Sequence, residues 1–396
     1  MDLIPFILLG CSATGFLLFM VGVVATLRHT SRKPFSLPDD AYPAISLLKP
    51  LKGTEEALEA NLRSFFEQDY PAPVEVVFAT ATPDDPGLIV ARRVAAAYDI
   101  PTRAVHSDPD FGLNPKVSNL AGALRHAKYD LVLQSDANVR VRPDYLRRVV
   151  AELVCEDAQL LSSMVTGGGE RSVGALLDNL QLCSFTAPGT CAALYVGIVC
   201  VIGKSMLFYK KDLEEVGGLE SVRDILAEDY VLGRAFQKAG KKVLLSTTTA
   251  QNVNVDSTVE HFISRHARWL KMRAVVHIPG FFLDVLANPT GLALLAFVTS
   301  GFDWRFGAAL AVIAPAKTIS DAFLVRRTRG TPLSLKHRFM APLRDILMLA
   351  IWPYAAFSRS IEWRGTRLRL GWRSRLRPDD GPLPVRLVRR VFAPLR

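Results

Sequence analysis

Two oxygen donors stand two residues apart in Gln134-Ser135-Asp136-Ala137-Asn138, where a predicted strand over 131–135 ends. A chain leaving a strand can turn both side chains to one side. That pattern suits Mg2+ or Mn2+, hard cations that take a few protein oxygens and complete their shell with water and substrate phosphate. A metal held at Asp136 would neutralise a diphosphate leaving group as its bond breaks. A strand-end acid with no ligand is the plainer alternative. A second acidic pair, Glu228-Asp229, opens a predicted helix that runs through Leu232 and Phe236 to a stop at Gly240. The helix dipole keeps a carboxylate there ionised, and near a bound diphosphate sugar it could accept the proton of an attacking alcohol. Adjacent positions diverge around a helix, so one of the two should face the site, and Asp229 is the choice. The competing reading is an ordinary acidic first turn.

Downstream, Val259, Phe262, Ile263 and Leu270 share one side of a helical pattern interleaved with Arg265, His266, Arg268, Lys271 and Arg273. This predicts a basic amphipathic helix at a bilayer interface. Arg268 can grip phosphate oxygens in a bidentate way, and Trp269 can sit at the headgroup level. A surface helix without catalytic duty explains the same residues.

Other chemistries lose support on inspection. Gly203-Lys204-Ser205 ends like a phosphate-binding loop, but Ile198 stands where the first glycine belongs, and 198–202 reads as a buried strand. Gly167-Gly168-Gly169-Glu170 reads as a strand-to-helix loop, and no GxGxxG supports nicotinamide or flavin binding.

The elements that would position these residues alternate. An apolar run at 44–48 precedes a helix capped by Thr54, with Leu58, Leu62, Phe65 and Phe66 on one face. A strand at 74–81 precedes a helix capped at Asp84-Asp85 with Pro86 in its first turn. Strands near 102–106 and 131–135 flank a helix near 116–127, and Pro143 starts another. Such alternation predicts an α/β fold with a mostly parallel sheet covered by helices. Ligands of such sheets lie beyond the carboxyl ends of strands where strand order reverses, and Asp84 and Asp136 sit at such ends.

Composition adds a membrane. Of 396 residues 49% are hydrophobic and 22% charged, and mean hydropathy is +0.20, which excludes disordered and fibrous classes. Residues 3–27 carry no charge, enough to cross a hydrocarbon core of about 30 Å, and Arg28, Arg32 and Lys33 follow, keeping the next segment cytoplasmic. The absence of Lys or Arg before the run favours an anchor over a cleaved signal. Apolar segments return at about 281–301, 306–325 and 340–357, broken by Asp284, Lys317, Asp321, Arg344 and Asp345, so they read as tilted, re-entrant or interfacial. The domains expected are an anchor at 1–30, a cytoplasmic catalytic unit at 40–277, membrane segments at 278–358 and a basic tail at 359–396. That tail holds eleven arginines against three acids, a large share of the net +10. Beside membrane runs, anionic lipid is its expected counterion rather than nucleic acid. Four full crossings would place the tail on the side of Met1, so one non-crossing segment and a cytoplasmic tail are expected. Five cysteines without CxxC pairs read as buried thiols in a reducing compartment.

In order, Asp84-Asp85, Asp136, Asp229 and Arg265-His-Ala-Arg268-Trp269 resemble the D, D, D, (Q/R)xxRW signature of membrane-bound inverting glycosyltransferases, and the ceramide glucosyltransferase family most nearly. Ser46-Leu-Leu-Lys49-Pro-Leu-Lys-Gly53, Asn114-Pro-Lys116-Val-Ser-Asn-Leu120, Leu226-Ala-Glu-Asp-Tyr230 and Trp363-Arg-Gly365 extend the match over nearly the whole chain. The resemblance implies a GT-A, Rossmann-like nucleotide-diphospho-sugar transferase domain with an N-terminal transmembrane helix and C-terminal membrane helices. It implies glucose transfer with inversion from UDP-glucose to ceramide or a similar lipid at the cytoplasmic face, with Mg2+ or Mn2+. By the same resemblance Asp84 or Asp85 holds the nucleotide, Asp136 the metal and diphosphate, Asp229 the acceptor hydroxyl as base, and Arg268 with Trp269 the leaving diphosphate and acceptor. Lys49, Asn114, Lys116 and Arg265 join the substrate-binding set. Ala137-Asn138 departs from the second carboxylate of a DxD pair. Related possibilities are N-acetylhexosamine transfer to a hopanoid lipid, a processive polysaccharide synthase and a non-catalytic membrane adaptor.

Overall fold

The computed structural model describes residues 3–363 and 366–379. Its central sheet has eight strands: β1 (Ile45–Pro50), β2 (Val74–Thr80), β3 (Thr102–His106), β4 (Leu131–Ser135), β5 (Val139–Arg140), β6 (Leu160–Gly168), β7 (Ser205–Tyr209) and β8 (Val243–Val253). They lie in the order β3-β2-β1-β4-β7-β6-β8-β5, parallel from β3 to β4 and antiparallel on both sides of β7. All six residues of β1 are buried, as in a strand with both faces covered. The period of two divides its neighbours between two cores: Leu131 and Leu133 join Leu47 and Phe78, while Val132 joins Leu48, Val77 and Ala79. The order of strands reverses between β1 and β4, so the loops after these strands open into one crevice.

The covering helices are α1 (Ile4–Thr30), α2 (Leu58–Phe66), α3 (Pro86–Ala95), α4 (Pro115–His126), α5 (Tyr145–Cys155), α6 (Val173–Gln181), α7 (Ala187–Tyr195), α8 (Lys210–Glu215), α9 (Glu228–Lys238) and α10 (Val259–Val276). α3 starts as its sequence predicts, with Pro86 in the first turn and Asp85 as the cap. Thr54 caps nothing. α2 begins at Leu58 after Ala57 in the left-handed region, and just before it the Glu56 carboxylate accepts the N–H groups of Val255 and Asp256. Residues 198–202 form no strand, since the chain must turn at Gly203 to bring Lys204 beside β4 before β7 begins.

The remaining helices are α11 (Ile278–Leu286), α12 (Pro289–Thr299), α13 (Trp304–Arg329), α14 (Leu335–Arg338) and α15 (Met340–Phe357). Among the described residues α1 and α13 are long and apolar enough to cross a membrane, and α11 with α12 makes a third candidate bent by 64°. Glycines let the helices close up: a Cβ at Gly15 would lie 1.9 Å from the Leu286 carbonyl oxygen, and one at Gly22 would touch Pro188. The charges that interrupt the late apolar segments pair with one another. Lys317 bonds Asp321 at 2.8 Å and Asp345 at 3.2 Å, and Arg344 bonds the same two acids at 3.0 and 2.6 Å.

A second sheet, β9 (Ser360–Trp363), β10 (Thr366–Leu370) and β11 (Leu376–Pro378), is antiparallel in the order β11-β10-β9. It docks on the segment before α9: Leu226 N–H donates to the Ser374 carbonyl at 3.0 Å, Ala227 N–H to Ser374 Oγ at 3.2 Å and Leu376 N–H to the Asp224 carbonyl at 2.7 Å. Arg364 and Gly365 of the Trp363 motif, and the tail from 380, lie outside the described residues. The five thiols are free, but Cys155 is exposed and Cys11 and Cys200 are half-buried, so three of the expected buried cysteines are not.

Candidate active site

The crevice between β1 and β4 holds a charge cluster. Lys116 comes from the first turn of α4, where Asn114 caps the helix by accepting the N–H groups of Lys116 at 3.0 Å and Val117 at 3.2 Å. The Asn114 amide also donates to the Ile225 carbonyl at 2.6 Å, tying this cap to the segment that starts α9. Lys116 Nζ lies 3.0 Å from Asp136 Oδ1 and 3.0 Å from Glu228 Oε1, and donates to the Gly203 carbonyl at 2.9 Å. Lys204 Nζ lies 3.0 Å from Asp136 Oδ2 and donates to Asn138 Oδ1 at 2.8 Å. Asp229 Oδ2 accepts the Gly203 N–H at 2.6 Å and Oδ1 accepts the Tyr230 N–H at 2.7 Å.

Glu228 and Asp229 therefore both face the cluster, against the expectation that one would. The first helical turn, where N–H groups are still free, lets the longer Glu228 reach Lys116 while Asp229 meets Gly203. Gly203 permits the approach. A Cβ there would stand 2.9 Å from Lys116 Nζ and 3.1 Å from Asp229 Oδ2.

Burial and charge set the protonation states. Burial works to raise the Asp136 carboxyl, but Lys116 and Lys204 more than offset it and hold it well below the usual carboxylate range. Burial works to lower Lys116, yet Asp136, Glu228 and Asp229 together raise it. Glu228 goes the other way: burial, with Asp229 adding to it, pushes the carboxyl up to about 7 despite Lys116. The side chains of Lys116, Asp136 and Lys204 remain 13%, 18% and 16% exposed, so a ligand can reach all three.

Lys49 sits behind this layer. It is fully buried over the Phe65 ring, 3.1 Å from the centroid, and donates to Ser135 Oγ at 3.1 Å and the Asp136 carbonyl at 3.4 Å. Burial lowers its ammonium well below the ordinary lysine range, with Asp136 opposing. Asp85 is committed to backbone donors: both its oxygens accept the Gly53 N–H at 3.0 Å and Oδ1 accepts the Gly87 N–H at 2.8 Å, which pins the loop after β1 to α3. Asp84 is exposed beside it.

α10 carries basic residues turned inward as well as outward. Arg265, 7% exposed, donates to Asn254 Oδ1 at 2.9 Å and lies 3.5 Å from Asp178 Oδ2; His266 bonds the same carboxylate at 2.7 Å. Lys271 is buried too and donates to Tyr354 Oη and the Ser360 carbonyl. An interfacial helix with all its basic residues in the headgroups is thus not what forms, because buried Asp178 on α6 draws in Arg265 and His266, and Tyr354 with the C-terminal sheet draws in Lys271. Arg265 lies near enough to Lys204 to oppose its charge, and Arg273 and Asp229 both bear on the Cys200 thiol. Trp269 is half-buried, with the Arg265 guanidinium 4.8 Å from its ring centre, and half-buried Arg268 bears on His266. Asp136, Glu228, Asp229 and Lys116 are brought together around Gly203, and exposed Asp84 makes no part of that cluster.

Sequence reasoning missed Lys204 and Glu228 as partners in the cluster. The signal for Lys204 was the Gly203-Lys204-Ser205 tripeptide, set aside because its spacing fails for a nucleotide-triphosphate loop.

Among the described residues no group of three or more His, Cys, Asp or Glu converges as a metal cage. The Asp136 carboxylate and the neighbouring Asn138 amide oxygen, now bonded to Lys116 and Lys204, would fit a divalent cation once those ammonium groups turned to a diphosphate, with the remaining ligands coming from the diphosphate and water.

Comparison with known proteins agrees with this architecture. The family model for glycosyl transferase family 21 matches residues 14–376. Ceramide glucosyltransferase 1 of Caenorhabditis elegans is 28% identical over 93% of this chain and 80% of its own length, and the ceramide glucosyltransferase of Pyricularia oryzae is 24% identical over 92% of both. A solved mannosyltransferase from Pyrobaculum calidifontis, in complex with GDP-Man and Mn2+, superimposes with a TM-score of 0.52 at 19% identity, covering 89% of this chain and 97% of that one. With its GT-A sheet and its apolar helices, this hexosyltransferase chain belongs to glycosyl transferase family 21.

Proposed function

We propose that the protein transfers glucose from UDP-glucose to the primary hydroxyl of ceramide, or of a similar membrane lipid, with inversion at the anomeric carbon. The single observation that carries this reading is the joining of Asp136 and the Glu228-Asp229 pair by Lys116 at the strand reversal, in a chain whose sheet is followed by membrane-type helices. The ceramide glucosyltransferases that the chain resembles over most of its length support the choice of donor and acceptor.

Lys116 and Lys204 stand where they can exchange Asp136 for diphosphate oxygens as a donor enters. Asp136 and Asn138 would hold Mg2+ or Mn2+, which would supply charge neutralisation to the departing diphosphate. Asp229, with both oxygens held by backbone N–H groups, is oriented to take the proton from the acceptor hydroxyl. The hydroxyl oxygen attacks the anomeric carbon, the bond to the diphosphate breaks, the proton passes to Asp229 and UDP leaves. Attack opposite the leaving group gives the β-product. Arg268 and Trp269 would meet the diphosphate and acceptor from α10. The positive residues after α1 support a catalytic unit on the cytoplasmic face of a multi-pass protein.

The test is to incubate membranes holding the protein with labelled UDP-sugars and candidate lipids, with and without EDTA, and to identify the product by mass spectrometry. A β-glucosyl ceramide is expected. An N-acetylhexosaminyl hopanoid, a polymer or no glycolipid would each replace this reading.

A further inference from the structure

The C-terminal sheet has a basic outer face. In β10, Leu368 and Leu370 are buried with Leu226, Ile361 and Leu376, so the period of two puts Arg367 and Arg369 on the opposite side. The antiparallel register sets Arg369 directly across from Arg377 on β11, and Arg367 across from Glu362 on β9. Arg375 shares the outward side with Arg377, since buried Leu376 lies between them, and the turn before β11 exposes Trp372 and Arg373. Against these arginines stand Glu362 and Asp379, and Asp379 already accepts the Ser360 hydroxyl at 2.8 Å. Among the described residues Arg367, Arg369, Arg373, Arg375 and Arg377 make no ion pair. Like charges directly opposite across strands repel, and an anion laid over them removes the penalty. Guanidinium groups match the oxygens of phosphate.

The chain brings this face close to the membrane-type helices. β9 begins three residues after α15 ends at Phe357, and α15 packs against α12 and α13. Tyr354 and Phe357 in its last turn are exposed, as is Trp372, aromatic residues of the kind that sit at the headgroup level. The same sheet also reaches the acids of the cluster. Ser374 receives the N–H groups of Leu226 and Ala227, the two residues before Glu228, and Leu376 N–H donates to the Asp224 carbonyl. We propose that the arginine face docks on anionic phospholipid headgroups of the bilayer, and that docking steadies the segment 224–227, so that lipid charge stimulates transfer. The stimulation rests on the proposed function; the docking does not.

The experiment reconstitutes the full-length protein with ceramide in phosphatidylcholine vesicles and in vesicles containing about one-third phosphatidylglycerol. With the anionic lipid, kcat at saturating UDP-glucose should rise about fivefold, and hydrogen exchange of the Leu226 and Ala227 amides should slow by a similar factor. Salt at about 1 M, which cuts the screening length to about 3 Å, should remove both effects. Arg369→Gln combined with Arg377→Gln takes away a repulsive pair on an outer face, so the variant should fold and match the wild-type chain in phosphatidylcholine. Its response to phosphatidylglycerol should shrink to within about twofold, whereas Arg369→Lys with Arg377→Lys, which keeps the charge, should retain most of it. An equal response of the Gln variant and the wild-type chain would overturn the inference, as would a wild-type chain indifferent to phosphatidylglycerol. If no glucosyl lipid forms while the difference in exchange stands, the proposed function falls and the docking surface remains.

Discussion

Lys116 Nζ lies 3.0 Å from Asp136 Oδ1 and equally close to Glu228 Oε1, so one ammonium links the acid at the end of β4 to the acids that open α9. Replacing it with an uncharged side chain of similar length, Lys116→Met, leaves these largely buried carboxylates short of a cation. We expect destabilisation of about 3 kcal/mol, discounted from a fully buried pair because these side chains keep some exposure, read as a lower unfolding temperature in detergent. Transfer should fall about a hundredfold or more, since charge aimed at the departing diphosphate is lost along with the link.

Asp229 has both oxygens oriented by N–H groups, and Asp229→Asn keeps the side chain's size while removing the base. Transfer to lipid should fall by about a thousandfold. Binding of UDP-glucose, measured by titration calorimetry, should change little. Equal losses in both measurements would contradict the role of base.

The cluster also predicts a dependence on pH. Burial and Asp229 push Glu228 up to about 7, above the 4.5 of a free glutamate. Between these values the folded state keeps a proton that the unfolded chain has lost, so stability decreases as pH rises. The contribution is fully present below about 4.5 and lost as pH climbs through about 7. In Glu228→Gln, unfolding temperature followed from pH 5 to 8 should lose this decline, and an inflection of kcat near 7 should disappear with it.

Removing divalent ions should lower transfer by about tenfold or more with EDTA, and Mg2+ or Mn2+ should restore it, because Asp136 offers only one carboxylate and the diphosphate must complete the shell. Asp136→Asn should abolish both the activity and its response to added metal. Activity that survives EDTA undiminished would leave neutralisation of the diphosphate to Lys116 and Lys204.

Much of this arrangement was legible in the residues. Local signals of strand, cap and helix placed the third and fourth strands of the sheet and the proline start of α3, because these depend on neighbours in sequence. What escaped depended on long-range partners. Lys204 reaches Asp136 across an antiparallel pairing of β7 with β4 that no period in the sequence announces. The amphipathic pattern of α10 was visible, but Asp178, 87 residues from Arg265, decides which cations turn inward. The late charged residues looked like interruptions until Lys317, Asp321, Arg344 and Asp345 were seen to neutralise one another.

The C-terminal sheet yields the last prediction. Ser374 is buried in a left-handed conformation, φ 57°, and its carbonyl and hydroxyl receive the N–H groups of Leu226 and Ala227, the two residues before Glu228. On its other side the same segment is held by Asn114, which caps the helix carrying Lys116. The sheet therefore fixes one end of the segment that aims both acids at the cluster. Ser374→Ala removes one hydrogen bond and leaves the Ala227 N–H without its acceptor, a cost of about 1–3 kcal/mol. Because a small misplacement of the acids weakens transfer more than ground-state binding, kcat should fall about tenfold while the KM for UDP-glucose stays within about twofold. Ser374→Thr, which keeps the hydroxyl, should recover part of kcat. A proportional loss of folded protein with unchanged kcat per folded molecule would show that the sheet stabilises the chain without positioning Glu228 and Asp229.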